Sequence, residues 1–273
     1  IDERLRMMFD IATNLLNFDQ KRAKEVAEDI SAISEKENND LGRVYYHSTL
    51  GRLHFKKSEY HECEVEFKKA LEYSLRTQSL LDQAMCYDSL GILNSFLNRF
   101  HEAIDDCNRA LAIYHQIDTS PSHRYQVVCH NNLGVAYRKL YMFEEAQKHF
   151  LKGMELVERK EVGTMRFTLL NNLAKSKFRN GKYEDGFKLA NDALAGFKQN
   201  DHKSGEANCM VTIAEYYLHT GKYALSLTHF LSTLKLLKTI DNKPAEISAY
   251  SGLGDVYLKM EAYNEAHKHL VIA

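Results

Sequence analysis

Several short clusters in the 273-residue sequence carry side chains able to hold a metal or attack a substrate. His61, Glu62, Cys63 and Glu64 place three metal-capable residue types in four consecutive positions, a donor set that zinc would accept. His267-Lys268-His269 offers a second pair of imidazoles, and Gly-Lys-Tyr occurs at 181–183 and 221–223 like a piece of a phosphate-cradling loop. In the first, Cys63 falls on a buried small position of the repeat described below, and the others fail on spacing. Histidines two apart on a helix diverge, no HExxH is present, and the Gly-Lys pairs lack both the earlier glycine and the following Ser or Thr. A glycine-rich dinucleotide fingerprint and a GxSxG elbow are also missing. The five cysteines Cys63, Cys86, Cys107, Cys129 and Cys209 are odd in number and include no CxxC pair. They read as free, buried, small apolar residues in a reducing compartment, not as a disulfide framework or zinc knuckle. The sequence therefore predicts no enzyme, no metal site and no cofactor.

A different polar pattern remains. HNNLGVAYRKL at 130–140 is echoed by LNNLAKSKFRN at 170–180, each with paired asparagines, a Leu, a small residue and then basic residues. What these side chains can do depends on the elements that carry them.

Hydrophobic residues make up 44% of the chain and charged residues 27%, which suits a folded soluble protein with a substantial core. No run approaches the length of a membrane span, and the start IDERLRMMFD lacks the basic-then-apolar layout of a signal peptide, so a cytoplasmic protein is expected. A net charge of −1 gives no global pull on nucleic acid or anionic lipid. The absent initiator Met and a stop at Ala273 inside a helix are expected of a piece excised from a longer protein.

Only two prolines occur, and apolar residues recur at spacings of three and four, so helices dominate. Small residues reveal a repeat. Leu50-Gly51 is followed by Tyr60, Cys63, Phe67 and Ala70, at nine, twelve, sixteen and nineteen residues past the glycine. The same ladder starts at Leu90-Gly91, Leu133-Gly134, Leu173-Ala174, Ile213-Ala214 and Leu253-Gly254. Its period is forty, apart from one step of forty-three that contains Pro121. Turn-prone stretches such as RNGKY at 179–183 and HTGKY at 219–223 separate each small landmark from the next aromatic, so each unit is a helical hairpin. Six hairpins are read at about 41–80, 81–120, 121–163, 164–203, 204–243 and 244–273, in one continuous domain. A degenerate hairpin precedes them at 1–40, with Ile11 at the landmark and Ala23, Ala27 and Ile30 on the ladder.

The pattern L-G-x-x-Y, in LGVAY at 133–137 and LGDVY at 253–257, followed by an aromatic, a small residue, an aromatic and Ala, resembles the tetratricopeptide repeat. The family period is 34, so the extra residues are expected to lengthen the helices. Stretches such as QNDHKSGEAN at 199–208 and TIDNKPAEIS at 239–248 resemble the long-helix subclass of Pins-type adaptors, kinesin light chains and bacterial regulators. The resemblance implies an all-α, right-handed α-solenoid of tandem helix-turn-helix hairpins. It also implies a concave groove, lined by the first helix of each hairpin, that binds a peptide or partner protein.

On such a helix the positions three and two before the landmark, and one, four and five after it, share one face. They place Asn131, Asn132, Arg138, Lys139, Asn171, Asn172, Lys175 and Arg179 in the groove, with Arg52 and Lys56 from the first clear hairpin. Asparagine offers a donor and an acceptor to an extended backbone, and the cations can pair with carboxylates, so the set suits an acidic peptide or a free C-terminus. Solvation of an ordinary helix face is the competing account of the same residues. Glu215, His219 and Asp255 make the C-terminal part more acidic, and Phe55, Phe96 and Phe178 serve either as apolar pockets or as packing between repeats.

The expected function is a non-enzymatic protein-interaction module. The alternative is a sensory or regulatory input domain of a bacterial signalling protein, with an output domain such as a diguanylate cyclase, kinase or DNA-binding module beyond Ala273. The last hairpin, without a polar capping helix, could also pair with another copy.

Overall fold

The computed structural model describes residues 1–117, 120–160, 163–240 and 242–273, and of 120, 121 and 158–160 the backbone alone. The side chain of Pro121, at the long step of the ladder, lies outside the described residues, as do 118 and 119 near one expected hairpin boundary and 161 and 162 near another. Fourteen helices and no strand occur among the described residues. They are α1 (Asp2–Leu15), α2 (Gln20–Lys36), α3 (Asp40–Lys56), α4 (Tyr60–Ser74), α5 (Leu80–Phe96), α6 (Phe100–Ile117) and α7 (Ser120–Lys139) in the first half. The second half has α8 (Phe143–Lys160), α9 (Met165–Arg179), α10 (Tyr183–Gln199), α11 (Lys203–His219), α12 (Tyr223–Leu237), α13 (Lys243–Lys259) and α14 (Tyr263–Ile272). No helix among the described residues is long and apolar enough to cross a membrane.

Two compact units result, Ile1–Leu140 and Tyr141–Ala273. Each is an α-solenoid stack in which consecutive helices pack on one another. In the first unit α1, α3, α5 and α7 also touch in series, and in the second α9, α11 and α13 do. Among the described residues no second helix of a hairpin touches the next second helix. The face made by first helices is therefore the tighter one in each unit, and side chains from adjacent hairpins meet there.

The ladder explains the packing. Cys63, Ala103, Ala146 and Ala266 are fully or almost fully buried at the twelfth position, and Phe67, Cys107, Phe150, Ala190 and Phe230 are buried at the sixteenth. Burying side chains of this kind contributes about 1.5–3 kcal/mol for each Phe or Leu, which favours hairpin stacking over isolated helices. The last copy departs, because Leu270 is exposed. All five cysteines are free and buried.

Two further ladders fix the joints. The seventh residue past each landmark, namely Ser58, Asn98, Tyr141, Gly181, Gly221 and Glu261, has positive φ and closes the turn inside the hairpin. The residue twelve before the landmark caps the first helix of four hairpins. Asn39 Oδ1, Ser79 Oγ, His202 Nδ1 and Asn242 Oδ1 accept from the backbone N–H of Gly42, Asp82, Gly205 and Ala245. These caps satisfy N–H groups that the helix leaves without partners.

One sequence expectation is corrected. Ile11 does not occupy the small landmark, since it is half exposed while Ala12 is fully buried beside it. Helix α1 ends three residues past Ala12 whereas α3 ends five past Gly51, so even with a turn one residue longer α2 starts eight residues past its landmark and α4 nine, which shifts the register by one.

Candidate functional site

The metal-capable cluster comes apart first. His61 and Glu62 are exposed, whereas Cys63 is fully buried with its thiol pushed up to about 12 by that burial. Glu64 turns to Lys68 at 2.7 Å and Arg99 at 3.0 Å, and these hydrogen bonds hold its carboxyl below the usual range. Among the described residues no group of three or more His, Cys, Asp or Glu could hold a metal ion. The turns at Gly181 and Gly221 are open, since a Cβ at either would meet nothing within 4 Å beyond its chain neighbours, and serve as hairpin joints.

The groove residues fall into two neighbourhoods, one in each unit. In Tyr141–Ala273, Asn171, Asn172 and Lys175 of α9 converge on a cavity of 260 Å³ closed by Phe197, His202, Gly205 and Asn208. Asn171 is buried, and its Oδ1 has no hydrogen-bond partner among the described residues. A carbonyl oxygen removed from water without a donor costs about 1–3 kcal/mol, so the site favours a ligand that brings an N–H. His202 is held by its cap to Gly205 and by contact with the Phe197 ring at 5.2 Å. Arg179 is exposed at the end of α9 and does not line this cavity.

In Ile1–Leu140, Arg52 and Lys56 line a second cavity, of 330 Å³, with Phe55. Its unforeseen member is Asp88, buried on α5 in the position that Asn131 and Asn171 occupy in their own hairpins. Burial pushes the Asp88 carboxyl up to about 6, against the lowering influence of Cys129, Asn132 and Arg52. Cys129 Sγ and Asn132 Nδ2 donate to its Oδ1 over 3.5 and 3.4 Å, and Asn131 Nδ2 donates to Asn132 Oδ1 at 3.4 Å. The first NN pair is thus drawn towards Asp88. Arg138 is partly buried and Lys139 exposed, and neither lines this cavity. In the sequence Asp88 marks only the lack of an NN pair, and a carboxylate in the inward ladder position is the signal that could have singled it out.

Of the aromatics, Phe178 is packing. It is buried against Tyr183 and Tyr216, with ring centroids 6.4 and 5.9 Å away. Phe55 combines both roles, lining the cavity and meeting Phe96 edge-on at 4.7 Å. His219 and Asp255 share a third cavity, of 580 Å³, with Tyr223 and Lys259, and Glu215 stands outside it.

Stacked helical hairpins with small residues at the crossings, and polar side chains collected on the first-helix face, define a helical-repeat solenoid. The family description "Tetratricopeptide repeat" matches residues 165–239 and 206–271, and the same ladder runs through the earlier hairpins. Residues 165–271 thus carry tetratricopeptide repeats. No curated protein sequence matches it. Among solved structures, NprR in complex with its cognate peptide NprX is similar at TM-score 0.73 and 17% identity, covering 98% of this chain and 77% of that one. A Rap protein complexed with Competence and Sporulation Factor gives 0.69 and 14%, covering 98% and 96%. Aspartyl phosphate phosphatase F from Bacillus subtilis gives 0.68 and 15%, covering 93% and 74%. At these identities the likeness is one of fold.

Proposed function

We propose that this protein is a non-enzymatic interaction module that binds an extended peptide or partner segment on its first-helix faces. The observation that carries the reading is the buried, unpartnered Oδ1 of Asn171 at a cavity shared with Asn172 and Lys175. An extended backbone supplies the missing N–H, Asn172 adds amide groups, and Lys175 favours an acidic side chain or a terminal carboxylate. Arg179 extends this surface in the same unit, and Arg52, Lys56, Asn131, Asn132, Arg138 and Lys139 make up a separate proposed surface in the other. That NprR was solved with its cognate peptide supports the reading. Five free buried thiols suit a reducing compartment such as the cytoplasm.

A regulatory version of this function, in which peptide binding controls an appended output domain, is favoured by the similar fold of the quorum sensor NprR from B. thuringiensis, at TM-score 0.65 and 18% identity.

Selection from a displayed library of random peptides tests the module. The expected result is enrichment of acidic peptides or free C-termini, with binding about ten-fold weaker for Asn171→Leu combined with Asn172→Ala. Selected peptides that bind this variant as they bind the wild type would place recognition elsewhere.

A further inference from the structure

Arg52 on α3 and Asp88 on α5 line the same 330 Å³ cavity, yet no ion pair joins them among the described residues. Each feels the other's charge. Arg52 Nη1 donates to Thr13 Oγ1 at 3.1 Å, and the guanidinium lies over the Phe9 ring at 5.2 Å. No other acceptor among the described residues reaches it. Asp88 receives two long contacts, both on Oδ1, and no described donor reaches Oδ2. Desolvation disfavours the charged form of both groups, lowering the pKa of Arg52 and raising that of Asp88. A buried carboxylate and a partly buried guanidinium ordinarily close on each other, because separating them away from water is costly. These two are held apart across a space walled by Leu16, Phe55, Ile92 and Tyr125.

The chemistry of a complementary ligand follows from the walls and the two charges. An apolar molecule would leave both charges uncompensated. A carboxylate alone answers Arg52, and an amine alone answers Asp88. A small zwitterion with an apolar body answers both and covers the aromatic wall. The volume is at the small end of ligand sites, which run from roughly 300 to 1,000 Å³. We propose that this cavity binds a free α-amino acid with a large apolar side chain, its carboxylate towards Arg52 and its ammonium towards Asp88. The cavity shares Arg52 and Lys56 with the proposed peptide surface but is separate from the Asn171 cavity, which lies in the other unit, so the two can fail separately.

The protein has no tryptophan, so L-tryptophan reports its own binding by fluorescence, with tryptamine and indole-3-propionate as single-charge analogues. L-Phenylalanine and L-leucine are titrated by calorimetry. Saturable binding of at least one amino acid is expected, with each indole analogue about ten-fold weaker than L-tryptophan for the loss of one charge-assisted contact. Asp88→Asn should erase the advantage over indole-3-propionate, and Arg52→Gln the advantage over tryptamine. Ile92→Phe narrows the cavity without touching either charge, so it should lose binding while melting as the wild type does. Failure of all three amino acids to bind, equal affinity for the three indoles, or undiminished binding by Ile92→Phe would each overturn the proposal.

Discussion

A Cβ on Gly186 would stand 2.8 Å from the carbonyl oxygen of Ala174 and 2.5 Å from the Phe178 ring. The first contact is with backbone and the second with a buried ring, so neither neighbour can withdraw freely. Gly186 therefore permits α9 and α10 to approach, in the role that Ala103 takes in its own hairpin. Gly186→Val is expected to destabilise the chain by about 1–3 kcal/mol through overpacking. Urea unfolding measures this, and a midpoint equal to wild type would show that the helices are not so closely apposed.

Asn171 makes the opposite prediction. Its buried Oδ1 lacks a partner, so Asn171→Leu, similar in shape and without the desolvated carbonyl, should raise stability by about 1–3 kcal/mol. Asn172, only partly buried on the next position, should show no such gain. Thermal melts of the two single variants separate these cases. A loss of stability in Asn171→Leu would show that the amide serves the fold. A gain accompanied by weaker peptide binding is the pattern expected where an unsatisfied group is kept for a ligand.

The fold was legible because its signal is steric. Gly51 and Gly91 lie one forty-residue period apart, and a Cβ at either would press on Phe67 or Cys107 of the paired helix. The left-handed turn position was visible only where glycine fills it, at 181 and 221. Ser58, Asn98, Tyr141 and Glu261 adopt the same conformation without that mark. Ile11 was misplaced because α1 ends early and the next helix starts eight residues past its landmark, not nine, which breaks the spacing on which the ladder depends. For the site, spacing identified the helix face and missed the local environment. Asn171 and Asn172 are adjacent and chemically identical, yet one is buried and the other is not. Asp88 owes its raised carboxyl to burial, and the groups that oppose the shift, Cys129, Asn132 and Arg52, come from two other helices that no local pattern connects to it.

Glu261 tests the turn ladder. Its φ of 60° is a conformation that costs a side-chain-bearing residue about 1–2 kcal/mol relative to its usual regions, and glycine avoids that cost. Glu261 is exposed, so little packing is lost on its removal. Glu261→Gly is expected to stabilise by about 1 kcal/mol after allowance for the greater freedom of glycine in the unfolded chain. Gly221→Ala, at the equivalent position with φ of 75°, should cost a similar amount. Paired denaturant titrations decide the matter, and changes of the same sign in both variants would contradict a shared turn geometry.

Asp88 should give the chain a pH dependence that a single substitution removes. Its carboxyl titrates near 3.8 when exposed, and burial in the folded chain pushes it up to about 6. The folded state thus holds this proton more tightly than the unfolded state. Its stabilising contribution is complete below 3.8 and disappears as pH rises through 6. Across that window wild type should lose about 3 kcal/mol relative to Asp88→Asn, which carries no charge at any pH. Other carboxylates titrate in both proteins and largely cancel in the comparison. The measurement is the difference in unfolding free energy between the two proteins at a series of pH values from about 4 to about 7. A difference that stays flat would mean that Asp88 is solvated or already paired in the folded chain, and a difference of the opposite slope would mean that Arg52 compensates its charge fully.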